Sequence, residues 1–175
     1  MLKETRDFAQ WSEVRLKLAD GVILRENRHL EVLVAAYPNQ PNDYKCLVTR
    51  RNIAPVPHKS PLIPRGHRKI VPELIVRILP DVLIDGFMRF LVNHFPRLIP
   101  WMVQMEINTL TDRDYVDKSF KVLNLGKDNN LAAYSTEIAL PARSYLAAVD
   151  KILEVVGKSV EEGRQYLTGP FSLRF

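Results

Sequence analysis

The segment Phe171-Ser-Leu-Arg-Phe175 alternates apolar and polar side chains, the pattern of a half-buried strand. Arg174 and Ser172 therefore share the face opposite Phe171, Leu173 and Phe175. A second strand is predicted from His29 to Ala36, with Leu30, Val32 and Val34 on one face and His29 and Glu31 on the other. Ser135 and Glu137 alternate in the same way in a further candidate strand. Polar side chains gathered on one sheet face need water or a partner domain. If that face is covered, the Arg174 guanidinium must pair with a carboxylate or meet an anionic or developing negative charge. Taken by itself, an ion pair with Glu31 or Glu137 is the simpler of these readings.

Other chemistries find little support. There is no glycine-rich phosphate loop, no GxGxxG run and no metal-ligand spacing. His29, His58, His67 and His94 are scattered, none with a second His or Cys at ligand distance along the chain. Cys46 stands beside Leu47 and Val48 and suits a small buried hydrophobe better than a nucleophile. Trp11 and Trp101 lie at helical spacing and are expected in the core.

The net charge of +5 is uneven, since Lys45 to Arg77 holds eight Lys and Arg against Glu73 alone. Arg50, Arg51, Lys59, Arg65, Arg68 and Lys69 could track phosphates, but the segment lacks the interleaved aromatics of single-strand binders. A solvated basic loop is the simpler expectation. One cysteine in 175 residues excludes an internal disulfide framework and points to the cytoplasm. The charged N-terminus has no apolar run behind it and so does not read as a secretory signal. The most apolar stretch, Leu74 to Phe95, carries Arg77, Asp81, Asp85 and Arg89 with Pro80, which makes a poor membrane span.

The elements that must position these residues follow from periodicity and turn residues. Residues 7–20 read as a helix with Phe8, Trp11, Val14 and Leu18 on one stripe, stopped by Gly21. The strand from His29 turns through Pro38 to Asp43 into a second strand, Tyr44 to Thr49, as a hairpin. Pro55, Pro57, Pro61 and Pro64 make 53–66 an extended loop. Short apolar helices are expected at 72–79, 81–94 and 97–109, with Phe87, Phe90 and Leu91 in the core. Ser119 to Leu125 and Leu131 to Leu140 read as strands, 142–164 as a long helix with Leu146, Val149, Ile152, Leu153, Val156 and Val160 on its stripe, and 171–175 as the last strand. The expected class is α+β, a single domain with an antiparallel sheet and helices on one face. The β-α-β run at 131–175 gives it ferredoxin-like character. The chain stops within a predicted strand, where a natural domain seldom ends, so the expectation is a piece of a larger protein.

Several stretches carry a family resemblance. Arg28-His-Leu-Glu-Val-Leu-Val-Ala-Ala-Tyr-Pro38 with Cys46-Leu-Val-Thr-Arg-Arg-Asn52 resembles the first hairpin of the C-terminal substrate (cap) domain of FAD-linked oxidases of the vanillyl-alcohol oxidase type. The nearest branch is that of sugar-lactone, alditol and cholesterol oxidases. Asp117-Lys-Ser-Phe-Lys-Val-Leu123 and Ala133-Tyr-Ser-Thr-Glu-Ile-Ala-Leu-Pro141 resemble two further strands of that cap, so the likeness covers most of 20–175. In the lactone and alditol oxidases the last strand carries glutamate, an apolar residue and arginine toward flavin and substrate; here the triplet is Ser172-Leu173-Arg174. The resemblance implies Arg174 as the catalytic residue with Ser172 beside it as a substrate-binding residue, and His29 and Glu31 join them as substrate-binding candidates from the same sheet face. It implies a small alcohol, sugar-lactone or sterol-like substrate and FAD held by an FAD-binding domain of the parent protein. This chain alone is expected to hold no flavin and to be inactive. The alternative from the residues is a free-standing α+β module that binds a protein or nucleic acid, with self-association through the uncovered sheet face as a further expectation.

Overall fold

The computed structural model describes residues 1–54, 81–109, 115–123, 136–163 and 165–175. Five strands form one antiparallel sheet: β1 (Leu2–Gln10), β2 (His29–Gln40), β3 (Asp43–Ile53), β4 (Tyr115–Asp117) and β5 (Phe171–Arg174), in the order β4-β1-β3-β2-β5. The helices are α1 (Trp11–Ala19), α2 (Val22–Glu26), α3 (Asp81–His94), α4 (Ile99–Thr109), α5 (Ser119–Leu123) and α6 (Tyr145–Glu161). A 3-10 turn at Pro96–Leu98 joins α3 to α4. The α+β class expected from sequence is the class observed.

The first strand explains the geometry of the rest. β1 pairs with β3 from Leu2 opposite Ile53 to Gln10 opposite Lys45, and its start pairs with β4. It occupies the sequence expected to open a helix at residue 7. The helix begins only at Trp11, so Phe8 belongs to the strand while Trp11, Val14 and Leu18 keep their buried stripe. Lys3 to Asp7 is too charged to show the apolar alternation by which strands are recognised; tertiary pairing overrides that local pattern. At the far end of α1, Gly21 adopts φ +69°, the left-handed conformation that a glycine takes without steric cost.

The hairpin β2–β3 forms as its alternation predicts but is longer at both strands. Pro38 does not start the turn. Register shifts between Val34 and Pro38, and again between Pro38 and Gln40, let the strand absorb a residue that cannot donate to the ladder. The reversal falls at Pro41-Asn42, where Asn42 takes φ +58°.

Two expected strands are corrected. Ser119 to Leu123 is a helical turn: Val122 N donates to Lys118 O at 3.1 Å, and the Asp117 carboxylate accepts from Lys118 N at 2.7 Å. This local bonding ends β4 and starts α5 in a segment whose alternation alone resembled a strand. Of the candidate strand 131–140, residues 136–140 form no strand, and β5 is the strand that pairs with the outer edge of β2. The described half of the strand expected to open the ferredoxin-like half unit is thus irregular. Residues 131–135 and the helix expected at 72–79 lie outside the described residues, as does nearly all of the proline-rich loop.

The apolar core sits between one sheet face and α1, α2 and α6. Leu30, Val32 and Val34 of β2 and Cys46 and Val48 of β3 meet Trp11, Val14, Leu18, Ile23, Val149 and Leu153. Leu146, Phe171 and Leu173 pack at its margin. Ile152 is exposed, off the stripe to which the sequence pattern assigned it. A second cluster, Ala36, Tyr37, Ile99 and Val103, seats α4 at the hairpin end of the sheet. Leu18 and Leu16 of α1 give a direct test, since Leu18 is buried and Leu16 exposed. Leu18→Ala is expected to lower unfolding free energy by about 2–5 kcal/mol and Leu16→Ala by less than about 0.5 kcal/mol in urea titrations.

Candidate functional site

The opposite face of the sheet carries a set of charged side chains beside the buried Leu2 and Leu47. Side chains directly across an antiparallel pair point the same way. The register sets Glu4 opposite Arg51, Arg51 opposite His29, and Glu31 opposite both Thr49 and Arg174. Four strands thus contribute to one row of alternating sign. Arg6 Nε donates to Glu4 Oε1 at 3.0 Å, and Arg51 Nε donates to Glu4 Oε2 at 2.7 Å. Arg51 also reaches Glu31 Oε2 at 3.0 Å, while Ser172 Oγ donates to Glu31 Oε1 at 3.1 Å. Arg174 Nε pairs with the same Glu31 oxygen at 3.5 Å.

Burial makes this row unusual. Glu4 is 1% exposed, and Glu31, Thr49 and Arg51 are also buried. Removing such charges from water costs several kcal/mol per ion, which pairing offsets only when each oxygen is satisfied. All four carboxylate oxygens of Glu4 and Glu31 have a partner in the row. The row opens at one end: the Arg174 side chain is 60% exposed, and its second carboxylate neighbour, Glu137, lies 3.9 Å away and almost wholly in solvent. The electrostatic product is a guanidinium at the sheet edge, steered from behind by a buried carboxylate and facing water in front.

Of the residues singled out from sequence, the structure brings Glu31, Ser172 and Arg174 together. His29 lies on the same face, half-buried and opposite Arg51, without a hydrogen bond among the described residues. Glu137 reaches the site from an irregular segment, and Ser135 lies outside the described residues. The need for an outside partner at Glu31 is removed, because Arg51 and Ser172 occupy its oxygens from within the chain. Glu4, Arg6 and Arg51 carry little signal in the sequence. Arg51 falls in the basic segment, and Glu4 and Arg6 lie in a strand too charged to alternate; the one available signal is Arg51 lying in phase with Thr49 and Leu47.

The remaining reactive groups are quiet. Burial pushes the Cys46 thiol up to about 12, so it stays protonated at neutral pH and is no nucleophile. Arg50 pairs with Asp7 on the other face, and Lys45 Nζ lies 4.3 Å over the Phe8 ring while donating to Asn108 at 2.6 Å. An open groove beside Trp11 and Tyr44 is lined by groups that already satisfy one another. Arg15 holds Asp150 in a two-pronged bridge, and Ser12 Oγ donates to Asp43 at 2.6 Å. Burial of Asp43 would raise its pKa, but hydrogen bonds from Ser12 and Tyr44 outweigh it and hold the carboxyl low. Among the described residues no cluster of His, Cys, Asp and Glu could hold a metal ion.

No family model, no curated protein and no solved structure matches this chain.

The charge row makes a graded prediction. Glu4→Gln leaves Arg51 and Arg6 short of a buried counter-charge and is expected to cost about 3–5 kcal/mol in chemical denaturation. Glu137→Gln, at the solvent end, is expected to change stability by less than about 1 kcal/mol.

Proposed function

We propose that this chain supplies the substrate-side wall of an FAD-dependent oxidoreductase acting on an alcohol, sugar-lactone or sterol-like substrate. The observation that carries the reading is Arg174, a half-open guanidinium clamped to Glu31 beside Ser172. The family's last strand has a glutamate where Ser172 stands. Here a carboxylate is present one strand away, since Ser172 Oγ reaches Glu31 Oε1 at 3.1 Å. That carboxylate is taken up by Arg51, Ser172 and Arg174, so it sets the guanidinium in place and leaves Arg174 to face the substrate.

On this reading the flavin is held by an FAD-binding domain of the parent protein, and the sheet-edge residues form the substrate side of the site. When bound there, the flavin supplies a two-electron acceptor for hydride. On this chain, Arg174 donates N–H groups to the substrate oxygen and stabilises the charge that builds on it as the carbon gives up hydride and the hydroxyl proton leaves to solvent. Glu31 is a positioning residue; with Arg51 and Ser172 on its oxygens, it is already committed and holds the guanidinium in place. His29 borders the same face and is available for substrate hydroxyls.

A nucleic-acid module has weaker support. Arg51 is buried in the row and Arg50 is paired with Asp7 at the surface, so two of the basic segment's charges already have partners within the chain. Lys59 to Arg77 lie outside the described residues.

The test is Arg174→Ala in the complete flavoprotein, read by stopped-flow reduction of the flavin. The rate is expected to fall on the order of a hundredfold. Reduction at the wild-type rate would remove Arg174 from the chemistry and the reading with it.

A further inference from the structure

Apolar side chains stay exposed in two places. Trp101 and Phe90, both expected in the core, lie at the surface of α4 and α3. Ile152 and Val155 of α6, 42% and 50% exposed, lie beside the outer edge of β5, and there the backbone specifies what completes the surface. β5 is the last strand of the sheet and pairs with β2 alone among the described residues. Phe175 and Leu30 exchange both backbone bonds, Phe175 N donating to Leu30 O at 2.9 Å and Leu30 N to Phe175 O at 3.3 Å. In an antiparallel ladder such exchanges recur at every second residue, so Leu173 and Phe171 also turn their N–H and C=O groups to β2. The N–H and C=O groups of Ser172 and Arg174 face outward, and no backbone group among the described residues meets them.

The flank of α6 above that edge carries no charge. Asp150 is bridged to Arg15 of α1, which packs over β3, while α6 packs over β2. Ile152 comes two residues after Asp150 and so lies about 200° round the helix, on the side away from α1. Tyr145, seven residues before Ile152 and on the same side, meets Phe175 edge-on at 5.2 Å between ring centres, which places this flank toward β5. Ala148, Ile152, Val155 and Ser159 run along it at spacings of four, three and four. The charges of α6 lie elsewhere on the helix, where Glu154 holds Lys151 at 2.9 Å and Lys158 at 2.6 Å.

We infer that two copies of this chain join at β5 into one continuous antiparallel sheet, about a two-fold axis through Leu173. In that register Ser172 of each copy lies opposite Arg174 of the other, and every outward N–H and C=O of these residues finds a partner. A two-fold at Ser172 would instead set Arg174 against Pro170, which has no N–H to donate. The apolar face matches as well, with Leu173 meeting its own copy and Phe171 meeting Phe175. Three strand spacings, about 14 Å, then separate β2 from its copy. The two α6 helices, each roughly 10–12 Å across, therefore lie side by side and cover Ile152 and Val155. Charge does not oppose the contact, since each Arg174 is answered in its own copy by Glu31 at 3.5 Å and Glu137 at 3.9 Å. The second copy also adds its Ser172 hydroxyl beside Arg174. The join uses backbone groups and the α6 flank, so it does not rest on the flavin reading.

The experiment is sedimentation velocity on the full chain, with amide hydrogen exchange read residue by residue above and below the dimer transition. A dimer is expected. The amides of Ser172 and Arg174 should be protected in it and exchange freely on dilution to monomer, while Leu173 stays protected in both states. Ile152→Lys sets two cations against each other across the axis and should weaken dimerisation roughly tenfold or more. Ser172→Pro removes an outward donor from each copy and should weaken it likewise, with circular dichroism unchanged for both variants. Leu16→Lys, on the exposed side of α1, should leave the dimer intact. The inference is overturned if the folded wild-type chain stays monomeric up to roughly 0.1 mM. It is equally overturned if the dimer leaves the Ser172 and Arg174 amides exchanging freely, if Ile152→Lys and Ser172→Pro both dimerise as the wild type does, or if Leu16→Lys weakens the dimer as much as Ile152→Lys.

Discussion

Arg51 is the hinge of the charged face. Its guanidinium sits between Glu4 on one neighbouring strand and Glu31 on the other, and all three are buried. Hydrophobic burial tolerates a range of side chains at a given position, but a buried ion does not. Each carboxylate must find its donors in one geometry, so β1, β3 and β2 are fixed in register by their polar face as firmly as by their apolar one. A slip of one residue would send Glu4, Arg51 and Glu31 into the core side of the sheet, opposite Val32 and Cys46. Such a row contributes less to net stability than to singling out one pairing of strands.

The same row accounts for the character of the sheet edge. Among the described residues it holds Arg6, Arg51 and Arg174 against the buried Glu4 and Glu31, and the outermost cation is the one left facing solvent. Arg174 is thus neither a loose surface arginine nor a wholly neutralised one. Its position is set by Glu31, whose own position is set by Arg51. Such a cation costs little reorganisation when an anion or a developing oxyanion arrives, which is the property that a preorganised electrostatic site needs.

Much of this arrangement was legible in the sequence where burial and periodicity agree. Leu30, Val32 and Val34 announce β2, Trp11, Val14 and Leu18 announce α1, and the Arg174 strand places Ser172 and Arg174 on the polar face with Glu31. Where the inward face is charged, the signal inverts: Glu4 looks like a solvent-facing residue because its burial depends on Arg51, 47 positions away, and Arg6 follows it by pairing with Glu4 on the same strand. Ser119 to Leu123 failed for a local reason, the backbone bonding after Asp117, which alternation cannot register. Trp101 failed because composition weighs an aromatic toward the interior, whereas the turn at Pro96 decides which side of α4 faces the sheet.

The claim that Arg51 and Arg174 act on one carboxylate is open to a thermodynamic double-mutant cycle. Arg51→Met, Arg174→Met and the pair together would be compared by urea unfolding. The two sites are on different strands and share Glu31, so the account predicts a coupling of about 0.5–3 kcal/mol, with the double variant less stable than the two single losses imply, because Glu31 is then buried without a cation. Additivity within about 0.5 kcal/mol would contradict it, and would mean that Arg174 stands at the sheet edge independently of the buried row.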